Sequence, residues 1–114
     1  MNLNPVLAKL EDVTGLPVEQ DIYSGEEERY ITFVYQLERP ADYADNEPIS
    51  DTCDVYVNLY VPIGYEYFEL KDTIREYLEK AGFHVEISSL LEPGKRSTER
   101  IRRIIYDCSI TKMR

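Results

Sequence analysis

The sequence predicts an α+β fold in which two helices pack on a mixed or mainly antiparallel sheet of four to five strands. Residues 53–61 alternate strictly between apolar and polar side chains, which is the period of a strand with one buried face. In residues 67–81 the side chains expected on a buried stripe instead recur every three or four positions, as in an amphipathic helix, namely Tyr67, Leu70, Ile74, Leu78 and Ala81. At 114 residues the chain has the length of a single domain, 1–114, with one core. The predicted order is helix, strand, strand, strand, helix, strand, strand.

A short amphipathic helix is predicted at the start of the chain. Asn4 can accept a hydrogen bond from the free amides of a first helical turn, and Pro5 has no amide to lose there. The apolar residues that follow at helical spacing are Val6, Leu7, Leu10 and Val13. Gly15 is expected to end the helix, because glycine readily adopts the left-handed conformation.

The next two segments, 17–23 and 29–37, are predicted to pair as a hairpin. The first segment is weakly strand-like, and Ser24 with Gly25 favours a turn after it. In the second segment, the side chains expected to share the core face are Ile31, Phe33, Tyr35 and Leu37.

Residues 40–51 are predicted to form a loop, because acidic residues, asparagine and two prolines favour irregular structure. Because calcium takes several oxygen ligands from one flexible loop, the segment raises the question of a calcium site built from Asp42, Asp45, Asn46, Glu47 and Asp51. The alternating acidic pattern with a central glycine is missing, and Pro48 stiffens the middle of the segment. A solvated acidic loop is therefore the favoured interpretation, and no metal or cofactor is expected.

The second half of the chain supplies the clearest elements. The predicted apolar face of strand 53–61 consists of Cys53, Val55, Val57, Leu59 and Val61. The helix over 67–81 is expected to end at Gly82, a short strand follows at 83–87, and residues 91–98 are a turn region. The final strand, 99–111, is predicted to place four side chains on one face, namely Ile104, Tyr106, Cys108 and Ile110.

Neither the cysteines nor the histidine predicts a reaction centre. Cys53 and Cys108 are too few for a disulfide scaffold and lack the short spacing of a metal or redox motif. They are expected to be reduced and buried, with pairing as the alternative if their strands are neighbours. His84, the single histidine, has no nucleophile motif around it and is interpreted as a partly exposed structural residue. No enzymatic activity is predicted.

The start of the chain lacks the basic and apolar regions of a signal peptide. No stretch reaches the roughly 18 uninterrupted apolar residues of a membrane span. Neither secretion nor membrane insertion is therefore expected.

The formal net charge of −9 counts against direct binding to nucleic acid, which requires a concentrated basic surface. Residues 1–60 hold 13 acidic and three basic residues, whereas residues 61–114 hold nine and ten. The basic run consists of Lys95, Arg96, Arg100, Arg102 and Arg103, and the acidic counterpart consists of Glu26, Glu27 and Glu28, reinforced by Asp42, Asp45, Glu47 and Asp51. Two complementary surfaces on one chain would support a contact between different patches of identical subunits, which can close into a ring. The alternative is that the arginines form a solvated strand face paired with local carboxylates.

Ten tyrosines are present, and Tyr56 and Tyr60 are predicted to lie beside Asn58 on the polar face of strand 53–61. Exposed tyrosines offer a large contact area with a polar tip, so this face is a candidate interface. The alternative is that the same tyrosines pack beneath loops or a helix.

The stretch "RYITFVYQLERPADYADNEPISDTCDVYVNLYVP", the helix end "LEKAGFHV" and the strand "RIRRIIYDCSI" carry a family resemblance. Across residues 3–111 the chain resembles small prophage-encoded tail proteins of long-tailed bacteriophages, of the tail-terminator and tail-completion (head-to-tail joining) type. The resemblance implies an α+β subunit of a hexameric ring at the head-proximal end of the tail, where it caps the tube and meets the head connector. It implies no cofactor and no catalytic residue.

The partners implied by the resemblance are other copies of the chain and other tail or connector proteins. The implied location is the host cytoplasm during assembly and then the virion. Two alternatives stay open from the residues alone. One is an adaptor or regulatory protein of the bacterial cytoplasm that binds a protein through its tyrosine face, and the other is a hydrolase that uses the acidic loop.

Overall fold

A computed structural model describes residues 1–94 and 98–114. The helical segments are α1 (Asn4–Ala8), α2 (Leu10–Thr14) and α3 (Phe68–Lys80). The strands are β1 (Val18–Gln20), β2 (Tyr30–Ala44), β3 (Glu47–Pro62), β4 (His84–Pro93) and β5 (Arg100–Met113). Within the described residues the strands form one mixed sheet in the order β1-β2-β3-β5-β4. The predicted α+β class and element order are confirmed, with α1 and α2 forming one short bent helix.

Both helices pack on the same face of the sheet and build the hydrophobic core with it. The predicted apolar faces of β3 and β5 are confirmed, because their inward residues are 0 to 7% exposed. The Tyr106 hydroxyl on β5 donates to the Lys71 carbonyl of α3 at 2.8 Å, and the Tyr77 hydroxyl of α3 donates to the Val6 carbonyl. These bonds join α3 to the sheet and to α1.

The start of the first helix differs from the prediction. Leu3 precedes the helix, and Asn4 is its first residue and makes no cap with its side chain. The Asn4 carboxamide oxygen instead accepts the Tyr35 hydroxyl, which in turn accepts the Leu3 amide at 2.9 Å. The Asn4 side chain therefore accepts its hydrogen bond from Tyr35 on the sheet and not from the free amides of the first helical turn. Gly15 ends α2 with a φ of 74°, as predicted.

The predicted hairpin between 17–23 and 29–37 is wrong, because β1 and β2 are parallel. Val18 pairs with Ile31 and Gln20 with Phe33. Apolar alternation carries no information about strand direction. For two parallel strands, the connection must run back along the length of the first strand. Because β1 has only three residues, this distance is roughly 10 Å.

The predicted loop at residues 40–51 is also wrong. β2 and β3 pair antiparallel up to Ala44 and Glu47, so this segment is the end of a long hairpin. Asp45 and Asn46 form its two-residue turn with φ values of 52° and 66°, the left-handed pair of a type I′ turn. Past residue 33, β2 has no strand on its other side among the described residues, and prolines are tolerated in edge strands.

The predicted core face of β2 is wrong at Leu37 because the strand contains a bulge. The register shifts between Tyr35 and Leu37, so the side chain of Leu37 leaves the core face and is 54% exposed. Val13 of α2, also predicted on the apolar stripe, is 40% exposed.

The molecule is elongated, with extents of 57 × 25 × 22 Å. Its long axis follows β3, whose 16 residues span roughly 54 Å at about 3.4 Å per residue. The buried apolar cluster stops at Cys53 on β3 and Ile110 on β5. Residues 40–51 therefore project beyond the core, and we call this hairpin end the arm. Within 1–94 and 98–114, no helix is long and apolar enough to cross a membrane.

Candidate interaction surfaces

The arm places three of the sequence-predicted acidic residues at one end of the molecule. Asp42, Asp45 and Glu47 are exposed around the turn, and Tyr43 beside them is 64% exposed. In the described part of the chain, no basic group lies within 4.0 Å of any of these three carboxylates. The arm tip, defined as residues 42–47, is thus an acidic surface with one large aromatic side chain.

The arm is fixed by polar contacts at its base. The buried Ser50 hydroxyl lies 2.7 Å from the Ala41 carbonyl and 2.8 Å from Asp42 Oδ2. The second contact accounts for the position of Asp42, whose φ of 51° is unusual within a strand. Arg114 donates to both carboxylate oxygens of Asp51, with contacts of 2.9 to 3.2 Å. The tip is therefore carried by an ordered ribbon.

The sheet face opposite the helices carries a stack of tyrosines. The rings of Tyr23 and Tyr30 are 4.2 Å apart between centroids, and those of Tyr30 and Tyr60 are 4.7 Å apart. The Arg103 guanidinium lies 5.9 Å from the centre of the Tyr60 ring. Tyr56 is half-buried and pairs with Val34 farther along the sheet, outside this stack. The two predicted tyrosines therefore occupy different parts of the same face.

A polar network beside the stack holds Arg103 within its own subunit. Asn58 is 1% exposed and donates to Thr32 Oγ1 at 3.3 Å. Arg103 Nε donates to Asn58 Oδ1 at 3.0 Å, and Nη1 donates to Glu92 at 2.9 Å. For Arg103 the pairing with a local carboxylate is thus observed, and this guanidinium is already engaged.

The acidic residues 26–28 and the basic Arg100 meet at one groove of about 750 Å³. Tyr30 and Tyr60 form part of its wall, and Glu28 also accepts the Tyr65 hydroxyl at 2.8 Å. The sequence alone placed these acids and bases on separate surfaces, whereas the structure brings them together in one subunit. Lys95 and Arg96 of the predicted basic run lie outside the described residues.

A third surface lies where α3 begins, at the far end of the sheet from the arm. Tyr67 and Phe68 stack with centroids 4.6 Å apart, the Arg102 guanidinium lies 4.8 Å from the Tyr67 ring centre, and Lys71 Nζ lies 5.6 Å from the Phe68 ring centre. Phe68 is 60% exposed, and Leu91, paired with Arg102, is 50% exposed. We call these five residues the aromatic–cation patch.

Sequence reasoning identified only Arg102 of this patch. It assigned Tyr67 to the buried stripe of α3, and the structure leaves Tyr67 partly buried against the core. The available clue was the spacing of Phe68 and Lys71, which puts a cation over an aromatic ring one turn away on a helix. The contribution of Arg102 follows from strand pairing and is not visible in local sequence.

The cysteines are buried and unpaired. Cys53 faces Ile110 and Cys108 faces Val55, so the two thiols are offset by two positions on neighbouring strands. Burial raises the pKa of Cys108 to about 12 and also raises the pKa of Cys53. Both thiols are therefore protonated and weakly nucleophilic at neutral pH.

His84 and the carboxylates do not converge on a common site. The exposed imidazole of His84 lies 3.8 Å from Glu86. In the part of the chain that the structure describes, no group of three histidine, cysteine or acidic side chains is arranged to hold a metal ion. The described surface thus offers contact areas: an acidic tip, a tyrosine-walled groove and an aromatic–cation patch.

Comparison with known proteins adds no assignment to this geometry. No protein-family model matches the sequence, and no curated protein is significantly similar to it.

Proposed function

We propose that this chain is a structural subunit of a bacteriophage or prophage tail, of the tail-terminator or tail-completion type. In this role it forms a ring, hexameric in the family it resembles, at the head-proximal end of the tail. The observation that carries the proposal is that the segment with the closest resemblance, residues 29–62, is also the segment that builds the projecting arm.

The arm supports an assembly role on physical grounds. The arm extends beyond the buried core, so the exposed residues 42–47 are accessible to another protein surface. The exposed Tyr43 supplies a large contact area to such a surface. The aromatic–cation patch and the tyrosine-walled groove give the same subunit further contact areas on other sides.

The partners in this role are other copies of the chain, the tail tube and the head connector. Assembly takes place in the host cytoplasm, and the subunit remains in the virion. A ring of subunits that each carry a net charge of −9 also suits a passage for DNA, because negative walls do not retain phosphates.

Deletion of the gene from the phage or prophage that encodes it tests the proposal. We expect particles with tails of abnormal length and heads without tails by electron microscopy, and mass spectrometry should find the protein in intact virions. The gene on a plasmid should restore normal particles. Normal tails and infectious particles after deletion would contradict the proposal.

A cytoplasmic adaptor is the second candidate, and the tyrosine-walled groove is the observation that favours it. The groove is large enough for a peptide segment, and Tyr30 and Tyr60 form an aromatic wall. A chain that is absent from virions, and that stays monomeric while it retains a host protein through Tyr60, would favour the adaptor.

A further inference from the structure

We propose that the arm tip of one copy docks on the aromatic–cation patch of the next copy, head to tail. This inference rests on the proposed function, because it assigns the contact from which the ring is built. It commits to a second copy of this chain as the occupant of the patch.

The two surfaces lie at opposite ends of the long axis. The tip ends at Glu47, the first residue of β3, whereas Arg102 pairs with Val61 near the other end of that strand. Fourteen residues of strand separate these positions, which corresponds to roughly 45 Å. One subunit therefore cannot join its own tip to its own patch, and the contact requires two molecules.

The chemistry of the two surfaces is complementary. The tip offers the carboxylates of Asp45 and Glu47, which have no cation partner among the described residues. The patch offers the cations of Arg102 and Lys71, which lie against aromatic rings and have no carboxylate within 4.0 Å in the described ranges. Contact would pair both sets of charges.

Apolar groups match across the same two surfaces. Tyr43 is 64% exposed at the tip, and Phe68 is 60% exposed in the patch. Packing one ring against the other removes both from water and extends the aromatic stack of Tyr67 and Phe68. The contact thus combines an aromatic centre with charged pairs around it, the usual anatomy of a specific interface.

Contacts between like surfaces are disfavoured. Two tips would oppose three carboxylates with three, and two patches would oppose two cations with two. The favoured contact is therefore heterologous, and a heterologous contact repeats until it closes into a ring or continues as a filament.

The arm is also ordered before it binds. The contacts of Ser50 with Asp42 and of Arg114 with Asp51 fix the ribbon within the single subunit. Docking therefore orders few additional groups, which lowers the entropic cost of association.

A mixing experiment with charge-reversed variants separates this arrangement from contacts between like surfaces. The tip variant carries Asp45→Lys and Glu47→Lys, and the patch variant carries Lys71→Glu and Arg102→Glu. Charge-matched controls carry Glu11→Lys with Glu76→Lys, or Lys9→Glu with Lys80→Glu, at exposed positions away from both surfaces. Circular dichroism verifies that each variant is folded, and sedimentation velocity at low salt measures mass.

Each variant alone should be monomeric under conditions in which the wild type and the controls assemble. A 1:1 mixture should assemble again to the wild-type mass, because the intact tip meets the intact patch and the lysine-substituted tip meets the glutamate-substituted patch, so that both contacts pair opposite charges. Assembly of either variant alone to the wild-type mass would overturn the proposal. So would a mixture that stays monomeric, a mixture that stops at dimers while the wild type forms larger assemblies, or a wild type that stays monomeric at millimolar concentration.

The outcome is independent of the gene-deletion test. If deletion disrupts tails but the tip variant restores them, the tail function stands and the docking contact is wrong. If the mixture assembles to the wild-type mass but deletion leaves virions normal, the contact stands and the tail function is wrong.

Discussion

Arg103 reaches across from β5 and donates from Nε to Asn58 Oδ1 of β3 at 3.0 Å, although Asn58 is only 1% exposed. The amide of Asn58 in turn donates to Thr32 of β2. One buried carboxamide thus links three adjacent strands on the sheet face opposite the helices. Because a buried polar group is costly without partners, this network fixes the alignment of the three strands.

Asn58→Ala should therefore destabilise the fold. The substitution removes the carboxamide that bonds Thr32 and Arg103 Nε, and we expect a loss of about 1–3 kcal/mol in the free energy of unfolding. Urea denaturation followed by circular dichroism measures this loss. The exposed Ser89→Ala serves as the control, and equal stability of the two variants would show that the network contributes nothing.

The turn of the arm makes a second prediction. Asn46 has a φ of 66°, where glycine is favoured over other residues, so Asn46→Gly should stabilise the hairpin. Asn46→Ala should destabilise it by about 1–2 kcal/mol, because alanine lacks the side-chain amide whose local hydrogen bonding lets asparagine tolerate the left-handed region. Hydrogen exchange of the amides in 40–51 reports the effect directly. The same exchange rates in both variants would argue against a type I′ turn.

The buried thiol of Cys108 should make the folded protein less stable at alkaline pH. Burial raises its pKa from 9.0 to about 12, so between these values the unfolded chain loses the thiol proton while the folded chain keeps it. The unfolded state then binds fewer protons, and the free energy of unfolding from this group falls as pH rises, by about 1.4 kcal/mol per pH unit. Below pH 9 the group contributes no pH dependence.

Urea denaturation of the wild type and of Cys108→Ala from pH 8 to pH 11 tests this prediction. The free energy of unfolding should decline less steeply with pH in the variant. Because both proteins contain the same tyrosines, the difference between the two curves removes the contribution of tyrosine ionisation. Parallel curves would mean that Cys108 ionises freely in the folded protein.

Tyr106→Phe should weaken the attachment of α3 to the sheet. The buried hydroxyl donates to the Lys71 carbonyl at 2.8 Å, and its removal should cost about 0.5–1.5 kcal/mol of unfolding free energy. Tyr43→Phe, the same change at a 64% exposed position, is the matched control and should leave stability unchanged. Thermal denaturation of both variants compares the two sites, and identical midpoints would contradict a structural role for the buried bond.

Local patterns predicted the elements that depend on one buried face. The alternation in β3 and β5, the stripe of α3 and the left-handed Gly15 are all visible in sequence, because each arises from residues within one turn or one strand. The same reasoning failed at β1 and at residues 40–51. Strand direction and a two-residue turn of non-glycine residues are decided by pairing partners, which no local window contains.

The candidate surfaces show the same division. The acidic character of Asp45 and Glu47 was evident from sequence, but their position at the end of an arm was not. Arg103 appeared as one of several equivalent arginines, and only the fold showed that Asn58 and Glu92 engage it. Arg102 joined Phe68 in one patch because β5 begins beside the start of α3.

By itself, the sequence determined that this chain folds as α+β with the buried faces of β3 and β5, since hydrophobic periodicity acts along the chain at short range. Only the tertiary structure decided that β1 runs parallel to β2, that an acidic hairpin projects from one end, and that an aromatic–cation patch forms at the other. Those features depend on contacts between residues far apart in sequence, whose geometry is set by the pairing of whole strands.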